Sequence, residues 1–85
     1  MKYNSRKFTL ESLINDIEVF KTYQEKENNE QRHSKYWFIS GEISSLMSLH
    51  IITLEQALSI NGNLYRNPDK AIKIVYNILE VINRG

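Results

Sequence analysis

Near the start of the chain, apolar residues recur every three or four positions, which is the spacing of one face of an α-helix. This stripe consists of Leu10, Leu13, Ile14, Ile17 and Phe20. Just before it, Thr9 offers a side-chain oxygen that can cap the free amides of a helix start, and Glu11 places an acid where the helix dipole favours one. The pattern predicts a first helix over about 10–27.

A segment without any apolar residue, QEKENNEQRHSK (24–35), follows this stripe and predicts a solvated connection. A second helix is then predicted over about 34–50. Its core face consists of Tyr36, Ile39, Ile43, Leu46 and Met47. A second face carries Ser40, Ser44 and Ser48 beside Gly41, and such small side chains allow another helix to approach closely. This face predicts either an internal helix contact or a docking groove, although serine is also an ordinary surface residue.

The stretch LMSLHIITLEQALSI (46–60) contains the end of one apolar helix and the start of the next. Thr53 followed three residues later by Gln56 is the pattern of a capping box. A third helix is predicted over about 54–61, ended by the breaker pair Asn61-Gly62, although the helical spacing of Leu64 and Tyr65 leaves a frayed continuation open. Three of its residues are expected to face the core, namely Leu54, Ala57 and Leu58.

The fourth helix has the clearest start, because Asn67, Pro68 and Asp69 supply a cap, a proline at the first helical position and an acid in the first turn. It is predicted over about 68–83. Apolar residues cover more than half of its circumference, so we expect it to be central to the bundle or shared with another molecule. A homodimer through helix 68–83 is one way of sharing it. The predicted fold is a single all-α domain (1–85), a compact array of four short helices.

Composition narrows the functional classes. The 85 residues include no cysteine, which excludes a disulfide-stabilised secreted domain and favours the cytoplasm. No stretch approaches the about 20 apolar residues that span a bilayer, and no apolar run follows the basic N-terminus, so neither an anchor nor a signal peptide is expected. A net charge of +1 predicts weak long-range attraction to nucleic acid. The usage of Ile, Asn, Lys and Tyr suggests a low-GC bacterium, its phage or its plasmid.

The residues required for catalysis form no recognisable pattern. The three glycines are scattered, and neither His33 nor His50 has a neighbour at a metal-binding spacing. His33 lies in the polar segment, and His50 continues the core face of the second helix at its last turn. We therefore expect no enzyme activity, no cofactor and no metal site.

Aromatic residues favour a protein-binding role. Tyr36, Trp37 and Phe38 point in three directions around one helix, so they cannot all face the core of so small a domain. Trp, Tyr and Arg are also enriched at binding hot spots. The hypothesis is a protein–protein interaction module, such as an inhibitor, antirepressor or accessory subunit encoded by a mobile element. Its candidate contact residues are Trp37, Phe38, Tyr65, Arg66 and Tyr76.

Two alternatives remain open at this point. A helix-turn-helix regulator of DNA would use residues 53–66, with candidate contacts at Gln56, Ser59, Asn61, Arg66, Lys70 and Lys73. The acid Glu55 and the lack of a cation in the reading helix disfavour it, because phosphates require positive charge. A helical bundle resembling bacteriocin immunity proteins is the third hypothesis.

Overall fold

The computed structural model describes the backbone of residues 5–84 and the side chains of residues 9–84. Its helices are α1 (Ser5–Glu25), α2 (Asn29–Ser48), α3 (Leu54–Asn63) and α4 (Pro68–Arg84). α1 packs against α2 and α4, and α3 packs against the same two helices, which gives a ring of four. The predicted all-α array of four helices is therefore confirmed. None of the helices in the described part of the chain is long and apolar enough to cross a membrane.

The first two helices are longer than the sequence pattern predicted. α1 begins at Ser5, so Thr9 lies inside the helix and its predicted role as the N-cap is wrong. α2 begins at Asn29, five residues before the predicted start at 34, because Asn28 accepts a hydrogen bond from the amide of Gln31 (3.3 Å) and caps the helix. Most of the polar segment 24–35 is thus helical, since Glu, Gln and Arg are good helix formers even in solvent.

The ends of α1 and α2 share one backbone arrangement. In each, the second residue beyond the helix has a left-handed backbone, with φ of 55° at Glu27 and 59° at His50. The following amide then bonds back to a carbonyl of the last turn: Asn28 to Tyr23 (2.9 Å) and Ile51 to Leu46 (2.9 Å). This is a standard way of satisfying the last helical carbonyls, although glycine usually occupies the left-handed position. His50 is exposed in this turn, so the expectation that it continues the core face of α2 is wrong.

The start signals of α3 and α4 are confirmed. The Thr53 hydroxyl accepts a hydrogen bond from the Gln56 amide (3.0 Å), and the Gln56 side chain accepts one from the Thr53 amide (2.8 Å). The Asn67 side chain accepts a hydrogen bond from the Lys70 amide (3.2 Å). The predicted break at Asn61-Gly62 is wrong, because α3 continues to Asn63.

The core lies at the centre of the ring and receives side chains from every helix. Its largest fully buried side chains are Phe20, Leu10, Leu13, Ile17, Ile39, Leu46, Ile60, Leu64 and Val75. Two inward assignments on α3 are wrong, because Leu54 and Leu58 are 61% and 65% exposed. α3 instead turns Ala57, Ile60 and the following Leu64 inwards, and the pair Leu54–Leu58 lies on its flank.

The wide apolar face of α4 is explained by its packing against two helices, α1 and α3. Ala71, Val75, Ile78 and Leu79 are buried. Further apolar residues on both flanks are half-buried against the core, namely Ile72, Ile74 and Ile82. The side of the helix opposite the core carries exposed polar residues, namely Lys70, Lys73, Asn77 and Glu80. The homodimer through helix 68–83 stays a prediction, and the outward side it would use is polar except for the exposed Tyr76 and Val81.

Candidate protein-binding groove

A surface groove runs between α2 and α3 and has a volume of about 200 Å³. Eight residues line it, and none carries a charge: Ser40, Ile43, Ser44, Met47, Leu54, Ala57, Leu58 and Asn61. Ser40 lies opposite Asn61 at one end, so the two helices are antiparallel across the groove. The stretch 46–60 connects these two walls, and its turn is a corner of the core, since Leu46, Ile52, Ala57 and Ile60 are all buried.

The two walls of the groove differ in the size of their side chains. The α2 wall includes Ser40 and Ser44, so the face of small residues seen in the sequence does meet another helix. The α3 wall presents Leu54 and Leu58, one helical turn apart and largely exposed. With small residues on the α2 wall and projecting leucines on the α3 wall, the groove can accept the side chains of a helix from another protein.

Hydrogen bonds close the polar end of the groove. The Ser40 hydroxyl lies 3.1 Å from Asn61 Oδ1 and donates to it, and Asn61 Nδ2 donates to the Tyr36 hydroxyl (3.4 Å). Asn61 is therefore engaged within the fold. Beyond this end, the remaining lining is mostly apolar.

Trp37 lies beside this polar end and is 62% exposed. Its ring packs edge-on against Tyr36, with centroids 5.5 Å apart, and its indole N–H donates to His33 Nε2 (3.1 Å). Because Tyr36 in turn contacts Asn61, Trp37 presents an exposed ring near the polar end of the groove, outside its lining. An indole held by two neighbours is a rigid anchor that loses little conformational freedom when a partner binds.

Tyr65 belongs to an aromatic cluster within the fold. Its ring lies 5.2 Å from that of Phe20 and 5.0 Å from that of Tyr36, and the Arg32 guanidinium stacks over it at 5.1 Å. The Tyr65 carbonyl also accepts a hydrogen bond from the Gln24 side chain (3.0 Å). These contacts give Tyr65 a role in joining α1, α2 and the connection between α3 and α4.

The other predicted contact residues lie on different surfaces. Phe38 is exposed, as expected, but it lies in a shallow hollow with Tyr23, where Lys35 covers its ring at 4.9 Å. Tyr76 lies between α1 and α4 beside Glu11 and Glu18. Arg66 lies in a hollow at the start of α4. Of the five candidates, only Trp37 and Tyr65 lie near the polar end of the α2–α3 groove.

The residues proposed for DNA contact are also divided. Gln56 is used in the capping box and Asn61 in the groove, while Ser59, Lys70 and Lys73 are exposed. α3, which would be the reading helix, contains neither lysine nor arginine. No group of three or more metal-ligating side chains occurs among the described residues.

Leu54 and Leu58 are the site residues that sequence reasoning missed. Their spacing of four residues was visible, but an apolar pair on a helix is equally compatible with a core contact. The rotation of α3 about its own axis decides between the two, and that rotation depends on packing against α2 and α4.

Comparisons of the chain with protein-family models, with curated proteins and with solved structures found no match.

Proposed function

We propose that the protein is a non-enzymatic protein-binding module and that its α2–α3 groove receives an apolar helix face of another protein. The observation that carries the proposal is the pair Leu54 and Leu58, which project on the edge of an uncharged groove whose opposite wall includes the small residues Ser40 and Ser44. Exposed leucines in such a position are unfavourable in solvent, and their burial by a partner would gain free energy.

The chemistry of the groove defines its occupant. Since no lining residue is charged, a charged side chain entering it would lose water without gaining an ion pair. The complementary segment is therefore an amphipathic helix that inserts apolar side chains at intervals of three or four residues and keeps its charges outside. The α4 helix of a second copy fits this description less well, because most of its apolar residues are buried and its exposed side carries only Tyr76 and Val81 among polar residues.

A library of displayed helical peptides provides the test. Peptides selected on the wild-type protein should bind Leu58→Ser and Trp37→Ala at least about tenfold more weakly, since truncating a hot-spot residue costs about 2 kcal/mol or more and about 1.4 kcal/mol corresponds to a factor of ten. Fluorescence polarisation with a labelled selected peptide measures the affinity. Because Leu58 is exposed, Leu58→Ser should keep the wild-type stability within about 0.5 kcal/mol. Trp37→Ala also loses the contacts with Tyr36 and His33, so it should cost about 1 kcal/mol and still be folded.

Val81→Ser is the matched control, since Val81 on α4 is as exposed as Leu58 but lies outside the groove. It should bind the selected peptides as the wild type does. Equal binding by the Leu58, Trp37 and Val81 variants would show that the peptides recognise another surface and would reject the groove as the site.

A further inference from the structure

Three ionisable side chains meet where α1 packs against α2. Lys35 Nζ lies 3.2 Å from Asp16 Oδ1, and the two side chains are only 23% and 16% exposed. Glu42 lies two turns after Lys35 on the same side of α2. Its Oε1 atom is buried and has no hydrogen-bond donor, and its carboxyl group adjoins that of Asp16.

The charges of this cluster do not balance when every group is ionised. One ammonium can compensate one carboxylate, and Lys35 already pairs with Asp16. An ionised Glu42 would then leave a second carboxylate in a partly buried place beside the first, with one oxygen unpaired. Two neighbouring carboxylates disfavour each other's ionisation, whereas a proton on one carboxyl lets it donate a hydrogen bond to the other.

The pKa of Glu42 agrees with this imbalance of charges. Burial is the largest effect that raises the pKa of Glu42, to about 8, followed by the hydrogen bond to Asp16 and the negative charge of Asp16. Lys35 acts in the opposite direction. Among the described side chains, Asp16 from α1 and Lys35 from α2 are the charged groups that influence Glu42 in this way.

We propose that Asp16, Lys35 and Glu42 form a proton-dependent clasp between α1 and α2, closed while Glu42 is protonated and loosened when Glu42 ionises. In the closed form, protonated Glu42 donates to the Asp16 carboxylate, which also pairs with Lys35, and the net charge of the three groups is zero. In the open form their net charge is −1, and the two carboxylates repel each other across the helix interface. The clasp lies on the α1 side of α2 and does not depend on the function of the groove.

The sign of the pH dependence follows from linkage. The pKa of Glu42 is about 8 in the folded protein against an ordinary value of 4.5, so between these values the folded state binds the extra proton. The contribution of Glu42 to stability is therefore complete below about pH 4.5 and is lost as the pH rises through about 8. Within this window the unfolding equilibrium constant should rise by at most about tenfold per pH unit.

Two measurements test the clasp. The first follows the ¹³C resonance of the Glu42 carboxyl by NMR and should show its titration well above pH 6. The second measures urea unfolding between pH 5 and 9 for the wild type and Glu42→Gln, whose amide N–H can donate to Asp16 at any pH. The variant should lose the decline that the wild type shows up to about pH 8 and be more stable than the wild type at pH 9. Since His33 and His50 occur in both proteins, the difference between the profiles isolates Glu42.

Glu55→Gln, at an exposed position on α3, is the control and should keep the wild-type slope. Asp16→Asn should move the Glu42 titration to lower pH, because it removes the neighbouring negative charge. A Glu42 resonance that titrates below pH 6, or parallel stability profiles for the wild type and Glu42→Gln, would overturn the proposal.

Discussion

Single residues at the helix ends carry backbone strain. Glu27 and His50 have left-handed backbones (φ 55° and 59°), a conformation that costs a residue with a side chain about 1–2 kcal/mol. Glycine adopts it without that cost but loses more conformational entropy on folding. Glu27→Gly and His50→Gly should therefore each raise the free energy of unfolding, by about 0.5–1 kcal/mol. Urea denaturation followed by circular dichroism measures the gain.

Ser45→Gly is the control for this prediction, because Ser45 is exposed in the middle of α2. There glycine should lower stability by about 0.5–1 kcal/mol, since the helix gains nothing from its freedom. If His50→Gly destabilised the protein as much as Ser45→Gly does, the left-handed conformation of His50 after α2 would be contradicted.

Both glycines among the described residues stand in helices, where nothing requires them. Neither Gly41 in α2 nor Gly62 in α3 has a positive φ, and a Cβ built at either position meets no atom within 4 Å. Gly41→Ala should therefore raise the free energy of unfolding by about 0.5–1 kcal/mol. Gly62→Ala should have a smaller effect, because it lies next to the end of α3, where helices fray. Thermal and urea unfolding of both variants measure whether Gly41→Ala stabilises the protein more than Gly62→Ala does. A Gly41→Ala variant less stable than the wild type would contradict the prediction.

The positions of these residues explain which element boundaries could be predicted. The starts of α3 and α4 have side-chain caps at Thr53 and Asn67, and local sequence alone identifies such caps. The ends of α1 and α2 use left-handed residues that are not glycine, while Gly62, which was interpreted as a breaker, lies inside α3. The ends of α1, α2 and α3 were each predicted within two residues. The start of α2 was predicted five residues late although Asn28 caps it, because no apolar stripe marks the polar segment 24–35.

At the scale of the whole molecule, the number of helices and most of the core followed from apolar periodicity, whereas the groove did not. Ser40 and Ser44 were recognised as a face that another helix could approach, but Leu54 and Leu58 were assigned to the core. Periodicity shows that a helix has an apolar side, and it does not show how wide the buried sector is. On α3 this sector is set by long-range contacts with α2 and α4, which no local pattern encodes.

Phe20 connects the parts of the ring, and its removal should affect all of them together. The side chain is fully buried and contacts Tyr36 on α2 and Tyr65 between α3 and α4. Phe20→Ala should lower the free energy of unfolding by about 3–5 kcal/mol, a large part of the about 5–15 kcal/mol of a typical domain. Phe20→Leu should cost less than about 1.5 kcal/mol, because most of the volume is kept.

The Phe20 variants also test whether the ring of helices unfolds as one unit. Because Phe20 joins α1, α2 and the connection between α3 and α4, circular dichroism and the fluorescence of Trp37 should agree with each other on the urea midpoint, both in the wild type and in Phe20→Leu, as in a two-state transition. Tyr76→Ala removes an aromatic ring of similar size from an exposed position and should change stability by less than about 0.5 kcal/mol. If Phe20→Ala were no more destabilising than Tyr76→Ala, the ring would not depend on Phe20. If the two probes gave different midpoints, α2 would unfold separately from the rest, and the groove it forms with α3 would open before the core does.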